Sequence, residues 1–193
     1  TRKVLDSQKR SVDPKELRDN DLIFLESEYV RSFVEDLLQK VTKPVTLMIG
    51  NSDMNHGREL QLLTSHPMVR RVFAQNLTEE VEGAEILPIG LENRWRAANG
   101  SLRFFTIQNR ATSRRTYRIM SCFSVHTNPT IRIAATTYLS TCSTSDFLDE
   151  LSPREHQDAL GRYAFVASPP GNGLDTHRTW EAMYPVSYTH LRA

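Results

Sequence analysis

The residues best suited to chemistry lie in one stretch near the end of the chain. An apolar run, Tyr163–Ala167, is followed by turn residues over 168–173 and then by helix-compatible residues to Met183. Arg178 and Glu181 stand three residues apart, so they share one face of such a helix. An arginine can bind a diphosphate with two hydrogen bonds, and a carboxylate can accept the hydroxyls of a ribose. The stretch therefore predicts a strand, a glycine loop and a helix that hold an anionic ligand.

Other residues of this stretch are candidate contacts to the same ligand, because they line the loop or begin the helix. They are Gly171, Asn172, Gly173, Asp175, Thr176 and His177. Two alternatives remain open at this point. Arg178 and Glu181 can form an ion pair within the helix, worth ~0.3 kcal/mol, and a histidine at a helix start is often a plain surface residue.

The elements that position these residues follow an α/β pattern. Short apolar runs at 21–25 and 45–49 flank amphipathic residues at 27–40, which predicts a βαβ unit with parallel strands. Residues 84–90 predict a third strand. Helical spacing of apolar residues predicts a helix over 67–75, and 145–150 predicts about one helical turn. The expected fold class is thus α/β with Rossmann-like parallel sheets.

Polar residues follow the predicted strands of the first half. Asn51, Ser52 and Asp53 come after the second strand, and Glu92 and Asn93 come after the third. The carboxyl ends of parallel strands are where α/β enzymes bind ligands, so these five residues are acceptor-side candidates. Glu92 can act as a general base toward an acceptor hydroxyl. The alternatives are an Asx turn at 51–53 and a structural role for Glu92.

A second strand-to-helix junction is predicted in the other half of the chain. An apolar strand over 118–125 precedes a helix that Pro129 opens, with Thr127 or Asn128 at its cap and Arg132 in its first turn. The residue pattern at 152–155 fits a capping box for a further helix. The polar, basic residues 108–116 suggest a boundary, so we expect domains at 1–110 and 111–184.

Composition limits the functional classes. The 193 residues are 39% hydrophobic and 24% charged, as in globular proteins, and two cysteines make neither a disulfide framework nor a metal cluster. We therefore expect no metal site, and no apolar stretch is long enough to span a bilayer. Residues 93–145 contain eight arginines and no acid. This stretch is either an electropositive wall for a phosphate-bearing ligand or a solvated surface.

The order of residues at 170–182, Pro-Gly-Asn-Gly-Leu-Asp-Thr-His-Arg-Thr-Trp-Glu-Ala, resembles the donor-binding segment of exostosin-like glycosyltransferases of the GT-B type. Weaker similarities occur at 49–53, 73–76, 87–93 and 123–129. The resemblance implies an enzyme of polysaccharide biosynthesis that transfers a sugar from a nucleotide diphosphate sugar to a glycan hydroxyl. It implies no cofactor beyond that substrate, and a cytoplasmic or membrane-peripheral location. The donor contacts would be the six residues of the loop and helix start, Arg178, Glu181, Asn128 and Arg132.

The last residues resemble something different. Residues 186–193, Val-Ser-Tyr-Thr-His-Leu-Arg-Ala, look like a translated sequencing adapter, so we expect 185–193 to be a non-native tail. On this hypothesis the chain is a fragment with an incomplete two-domain GT-B architecture, and by itself inactive. Two other functions remain open. One is a non-enzymatic α/β protein that binds a phosphate ligand or nucleotide. The other, ranked last, is nucleic-acid contact through the 93–145 arginines.

Overall fold

A computed structural model of the 193-residue chain divides into two units, Thr1–Ile89 and Gly90–Ala193. It describes residues 2–5, 11–51, 53–93, 115–149, 151–183 and 190–191. Each unit contains one sheet of parallel strands with helices in most of the connections, which confirms the α/β class expected from the sequence. The domain boundary expected near residue 110 lies outside the described residues.

The first unit is built on a five-stranded sheet in which spatial order follows chain order and every neighbouring pair is parallel. The strands are β1 (Arg2–Leu5), β2 (Asp21–Glu26), β3 (Val45–Gly50), β4 (Val69–Ala74) and β5 (Ala84–Ile86). A 3-10 turn, Pro14–Glu16, lies between β1 and β2. After β2 the chain is helical over 27–40, as 3-10 turn Ser27–Tyr29, α1 (Val30–Ser32), π-helical turn Phe33–Leu37 and 3-10 turn Leu38–Lys40. Helix α2 (Gly57–Thr64) joins β3 to β4.

The core of this unit lies on one face of its sheet. Ile23 and Leu25 of β2 are fully buried, while the alternate residues Leu22 and Phe24 are only half-buried. Strands in sequential order with right-handed crossovers place all their connections on the same face, which explains this difference. The predicted βαβ unit over 21–49 is thereby confirmed, with Asp21–Glu26 paired in parallel to Val45–Gly50.

The helix predicted over 67–75 is wrong, because Val69–Ala74 is strand β4. The pairing of β3 with β4 shifts register between Val45 and Thr46, whose partners are Val69 and Arg71. Arg70 is thus an extra residue in the strand, as in a β-bulge. The bulge turns Val69 and Val72 to the same buried side although they are three residues apart. Apolar residues three apart are also typical of an amphipathic helix, which explains the wrong prediction.

The second unit contains a four-stranded parallel sheet in the order β7-β6-β8-β9. Its strands are β6 (Thr116–Ser121), β7 (Ser145–Phe147), β8 (Tyr163–Ala167) and β9 (His190–Leu191). Its helices are α3 (Pro129–Ser140), α4 (Pro153–Leu160) and α5 (His177–Met183), with a 3-10 turn at Val125–Thr127. The helical turn predicted over 145–150 is wrong, because Ser145–Phe147 pairs with the edge of β6 as a strand.

Strand order reverses direction inside this sheet. The chain leaves β6 toward β7 on one side, and it leaves β8 toward β9 on the other. Right-handed crossovers then place α3 on one face of the sheet and α4 and α5 on the opposite face. His190–Leu191, within the tail expected to be non-native, pairs with β8. Among the described residues, no helix is both long and apolar enough to cross a membrane.

Candidate functional site

The candidate site lies at the carboxyl edge of the second sheet, between β6 and β8. Here the connections from the two strands turn to opposite faces, which makes this edge a topological switch point. In open α/β sheets, ligands bind in the crevice outside the carboxyl ends of strands at such a point. The loops that border it are 122–128 and 168–176. Most of the donor-binding residues predicted from the sequence lie on or beside these loops.

Arg132 connects the two loops. Its Nε donates to the carbonyl oxygen of Pro170 at 2.9 Å, and its Nη1 and Nη2 donate to those of Ser124 and Pro169 at 2.7 and 3.3 Å. The side chain is buried, with the guanidinium over the ring of Phe123 at 5.7 Å. Arg132 is therefore buried and holds the loop after β8, so it is not part of a solvated arginine surface.

The charge of Arg132 is neutralised by none of these partners, since all three are carbonyl groups. Burial lowers the pKa of Arg132, and the positive charge of Arg178 lowers it further. Two arginines thus repel each other at this edge of the sheet. An anionic ligand here would relieve that repulsion.

Asn128 makes a second connection between the loops. Its Oδ1 accepts from the amide of Ile131 and so caps α3, as the sequence predicted. Its Nδ2 donates to the carbonyl oxygen of Gly171 at 2.9 Å. One amide side chain therefore fixes both the start of α3 and the glycine loop. Asn172 of that loop is exposed, and Gly173 is buried.

Replacing Gly171 by alanine is expected to destabilise the second unit by about 1 to 2 kcal/mol, as overpacking commonly does. A Cβ at this position would lie 3.1 Å from Nη2 of Arg132. The guanidinium is held by three carbonyls and cannot yield freely. Urea unfolding measures the effect, with Gly161→Ala as the control because Gly161 has an ordinary φ of −71°. Equal stability of the two variants would contradict the expected crowding.

Arg178 lies beside a residue that the sequence did not single out. Its Nη1 is 2.6 Å from Nε2 of His156, which α4 contributes. Within the part of the chain that the structure describes, Arg178 forms no ion pair with Glu181, so the intrahelical pair considered as an alternative is absent. Burial lowers the pKa of His156 to about 4, with a further contribution from the charge of Arg178. His156 is consequently neutral near pH 7.

Glu181 presents a buried carboxylate at the same place. The residue is 7% exposed, and no described residue donates a hydrogen bond to its side chain. Nδ1 of His156 lies 3.9 Å from Oε2 of Glu181, which is beyond hydrogen-bond distance. Burial raises the pKa of Glu181, Arg178 and His177 oppose this rise, and Glu92 adds to it. The carboxylate oxygens remain available as acceptors for a ligand.

His177 and Glu92, separated by 85 positions, come together in the second unit. His177 Nδ1 lies 2.8 Å from the carbonyl oxygen of Gly90, so this nitrogen carries a proton and donates it. Its Nε2 is 3.6 Å from Oε1 of Glu92. The amide of Asn93, itself exposed, donates to the same Glu92 oxygen at 2.9 Å. Glu92 and Asn93, expected in the first domain, thus belong to the unit that carries the donor-side candidates.

Two further predicted residues serve the local structure. Both carboxylate oxygens of Asp175 accept from Nε1 of Trp180, at 2.9 and 3.0 Å, which ties the loop to α5. The Thr176 hydroxyl is 3.2 Å from that of Ser168, which also lies 2.9 Å from that of Thr179. These contacts brace the start of α5.

The acceptor-side candidates of the first unit lie at the carboxyl edge of its own sheet. Asn51 adopts a positive φ of 69°, its Nδ2 donates to Oε1 of the buried Glu26 at 2.6 Å, and its amide donates to Oε1 of Gln75 at 2.8 Å. Asp53 is exposed, and Ser52 lies outside the described residues. The sheet face beside this cluster has a groove of about 400 Å³, lined by Leu22, Phe24, Met48, Gln75, Leu87 and Pro88. Asn51 is thus part of a polar network next to an apolar groove.

His156 is the functional candidate that sequence reasoning missed. A usable signal exists, because His156, Ala159 and Leu160 share the buried face of α4 at helical spacing. A histidine on that face must meet a polar partner from another element. The partner could not be read from the sequence, since Arg178 lies 22 positions away.

No family model matches the sequence, and no curated protein matches it either. The described residues contain no group of three or more histidine, cysteine or acidic side chains arranged to hold a metal ion. The geometry at the carboxyl edge of the second sheet is therefore the basis for inferring function.

Proposed function

We propose that the second unit binds the diphosphate and ribose of a nucleotide sugar, and that the protein is a glycosyltransferase of the GT-B type. The observation that carries the proposal is the buried carboxylate of Glu181, which lacks a hydrogen-bond donor from the described residues. A largely buried carboxylate without a donor from the protein keeps its capacity to accept hydrogen bonds from a ligand. Two vicinal hydroxyls of a ribose would satisfy it.

The charges around Glu181 support an anionic ligand. The partner that Arg178 contacts at 2.6 Å is a neutral imidazole, and the hydrogen bonds of the Arg132 guanidinium go to carbonyl oxygens. Positive charge that no ion pair among the described residues neutralises, at a topological switch point, suits a diphosphate. In sugar transfer such charge stabilises the leaving diphosphate as the bond to the sugar breaks. The acceptor would be a hydroxyl of a glycan or polysaccharide.

The described arginines give little support to nucleic-acid binding. Arg118 pairs bidentately with Asp146 at 2.5 and 2.7 Å, Arg132 is buried, and Arg115 also interacts within the protein. These are the three arginines of the acid-free stretch that the structure describes. A phosphate-binding or nucleotide-binding protein without transfer activity remains the second candidate, because the same edge of the sheet would serve it.

Replacing Arg178 by methionine is expected to weaken nucleoside diphosphate binding about 10- to 100-fold, the loss of one or two charge-assisted hydrogen bonds. Calorimetric titration of the chain with UDP, GDP and ADP measures the affinity. Arg162→Met is the matched control, since Arg162 is exposed. Replacing Glu181 by glutamine should reduce the preference for a ribonucleotide over its 2′-deoxy counterpart.

Two results would overturn the proposal. One is the absence of binding to all three nucleotides at millimolar concentration, and the other is unchanged affinity in the Arg178→Met protein. If a nucleotide binds but no nucleoside diphosphate is released from sugar nucleotides in the presence of glycan acceptors, the phosphate-binding alternative is favoured. Steeply salt-dependent binding to a random oligonucleotide would instead favour nucleic-acid contact.

A further inference from the structure

His156 lies between the two charged residues of the candidate site, although it belongs to a different helix. Its Nε2 is 2.6 Å from Nη1 of Arg178, and its Nδ1 is 3.9 Å from Oε2 of Glu181. His156 is only 9% exposed, so its side chain is buried within the second unit. His156 lies on the first turns of α4, whose start is fixed by the capping box of Ser152 and Glu155.

The contact to Arg178 determines the tautomer of His156. A guanidinium group has only donors, so Nε2 must accept and its lone pair must point at Nη1. The imidazole proton is then on Nδ1, on the side of Glu181. A protonated imidazole would place two cations 2.6 Å apart. The lowered pKa of His156 agrees with a neutral imidazole at this position.

The neutral partner has an electrostatic consequence that a carboxylate partner would not have. In the same unit Arg118 is paired with Asp146, and that pair has no net charge. Arg178 is held by an equally short hydrogen bond, but the charge of the arginine is retained. A group that fixes an arginine without neutralising it leaves that arginine ready for an anion.

We propose that His156 is a positioning residue, which orients the guanidinium of Arg178 for an anionic ligand while leaving its charge unpaired. The ligand part of this inference rests on the proposed function, because it takes Arg178 as a contact to a diphosphate. His156 itself touches no ligand atom. It acts by restricting the rotamers of a long side chain that would otherwise lose conformational freedom on binding.

Binding of inorganic pyrophosphate to three forms of the full chain tests the inference. His156→Leu is expected to weaken binding about tenfold, because the guanidinium loses its acceptor. His156→Gln, whose Oε1 can take the position of Nε2, should recover most of that loss. Gln157→Leu, one position along α4, is the control for a changed helix surface. Wild-type affinity in the His156→Leu protein, or equal loss in the leucine and glutamine variants, would overturn the proposal.

A measurement without ligand separates this inference from the proposed function. Nitrogen-15 spectra report hindered rotation of an arginine guanidinium, and we expect hindered rotation for Arg178 in the wild type and in His156→Gln. Rotation should become free in His156→Leu. If rotation behaves in this way but pyrophosphate and nucleotides do not bind, the proposed function fails and the positioning role stands. Free rotation in the wild type removes the positioning role whatever binds.

Discussion

Replacing Arg132 by methionine is expected to destabilise the second unit by about 3 to 5 kcal/mol. Methionine keeps much of the buried aliphatic volume but leaves the carbonyl oxygens of Ser124, Pro169 and Pro170 without their donors. Pro169 is buried and Pro170 half-buried, and an acceptor of this kind that loses its partner costs about 1 to 3 kcal/mol, whereas the exposed Ser124 adds little. The loop after β8 would also lose its connection to α3. This expected loss is the largest for any single residue of the candidate site.

Urea unfolding followed by tryptophan fluorescence measures this change. Trp180 lies on α5 of the second unit and donates to Asp175, so its fluorescence reports on this unit. Arg154→Met is the matched control, because Arg154 is exposed on α4, and its stability should change by less than about 0.5 kcal/mol. Arg132→Lys should fall between the two. A loss below about 1 kcal/mol in Arg132→Met would show that the guanidinium does not hold the loop.

Acidification from pH 6.5 to about 4 is expected to remove about 3 kcal/mol of folding stability through His156 alone. Burial and the charge of Arg178 lower the pKa of this histidine from 6.5 to about 4. Below pH 6.5 His156 binds a proton in the unfolded chain but not in the folded chain, so the free energy of unfolding falls as the pH decreases. The contribution is complete above pH 6.5 and is lost by about pH 4. A pKa that is lower by one in the folded state corresponds to ~1.4 kcal/mol of folding free energy.

Other groups titrate in the same range, so the measurement compares two proteins. The raised pKa of Glu181 acts in the opposite direction, because the folded state binds that proton more tightly. The lowered pKa values of Asp146 and Glu155 act in the same direction as His156. The difference in unfolding free energy between the wild type and His156→Gln isolates the histidine. A difference that does not vary between pH 7 and pH 4 would show that His156 is not held neutral by the fold.

Local sequence patterns were sufficient for many of the elements. Residues 21–26 and 45–50 are strands, as their short runs of consecutive apolar side chains predicted. Ser152, Pro153 and Glu155 form the predicted capping box, and Asn128 caps α3. Such signals are local, since each depends on side chains within about four positions.

The elements that were wrongly predicted depend on a partner strand. Val69–Ala74 has apolar residues three apart because a bulge at Arg70 turns the strand, and a bulge exists only relative to β3. Ser145–Phe147 is too short and polar to be recognised, and it becomes a strand by pairing with β6. The pairing partner is far along the chain in both cases. No local sequence pattern identifies the partner strand.

The sequence by itself determined the α/β class and the presence of a glycine loop before a helix with Arg178 and Glu181. The tertiary structure alone decided which residues meet at that loop. Arg132 reaches across 37 or 38 positions to clamp it, and His156 rather than Glu181 is the group bonded to Arg178. The physical reason is that helical and strand propensities arise between near neighbours. The order of strands in the sheet, which brings distant loops to one edge, arises from burial of the whole core.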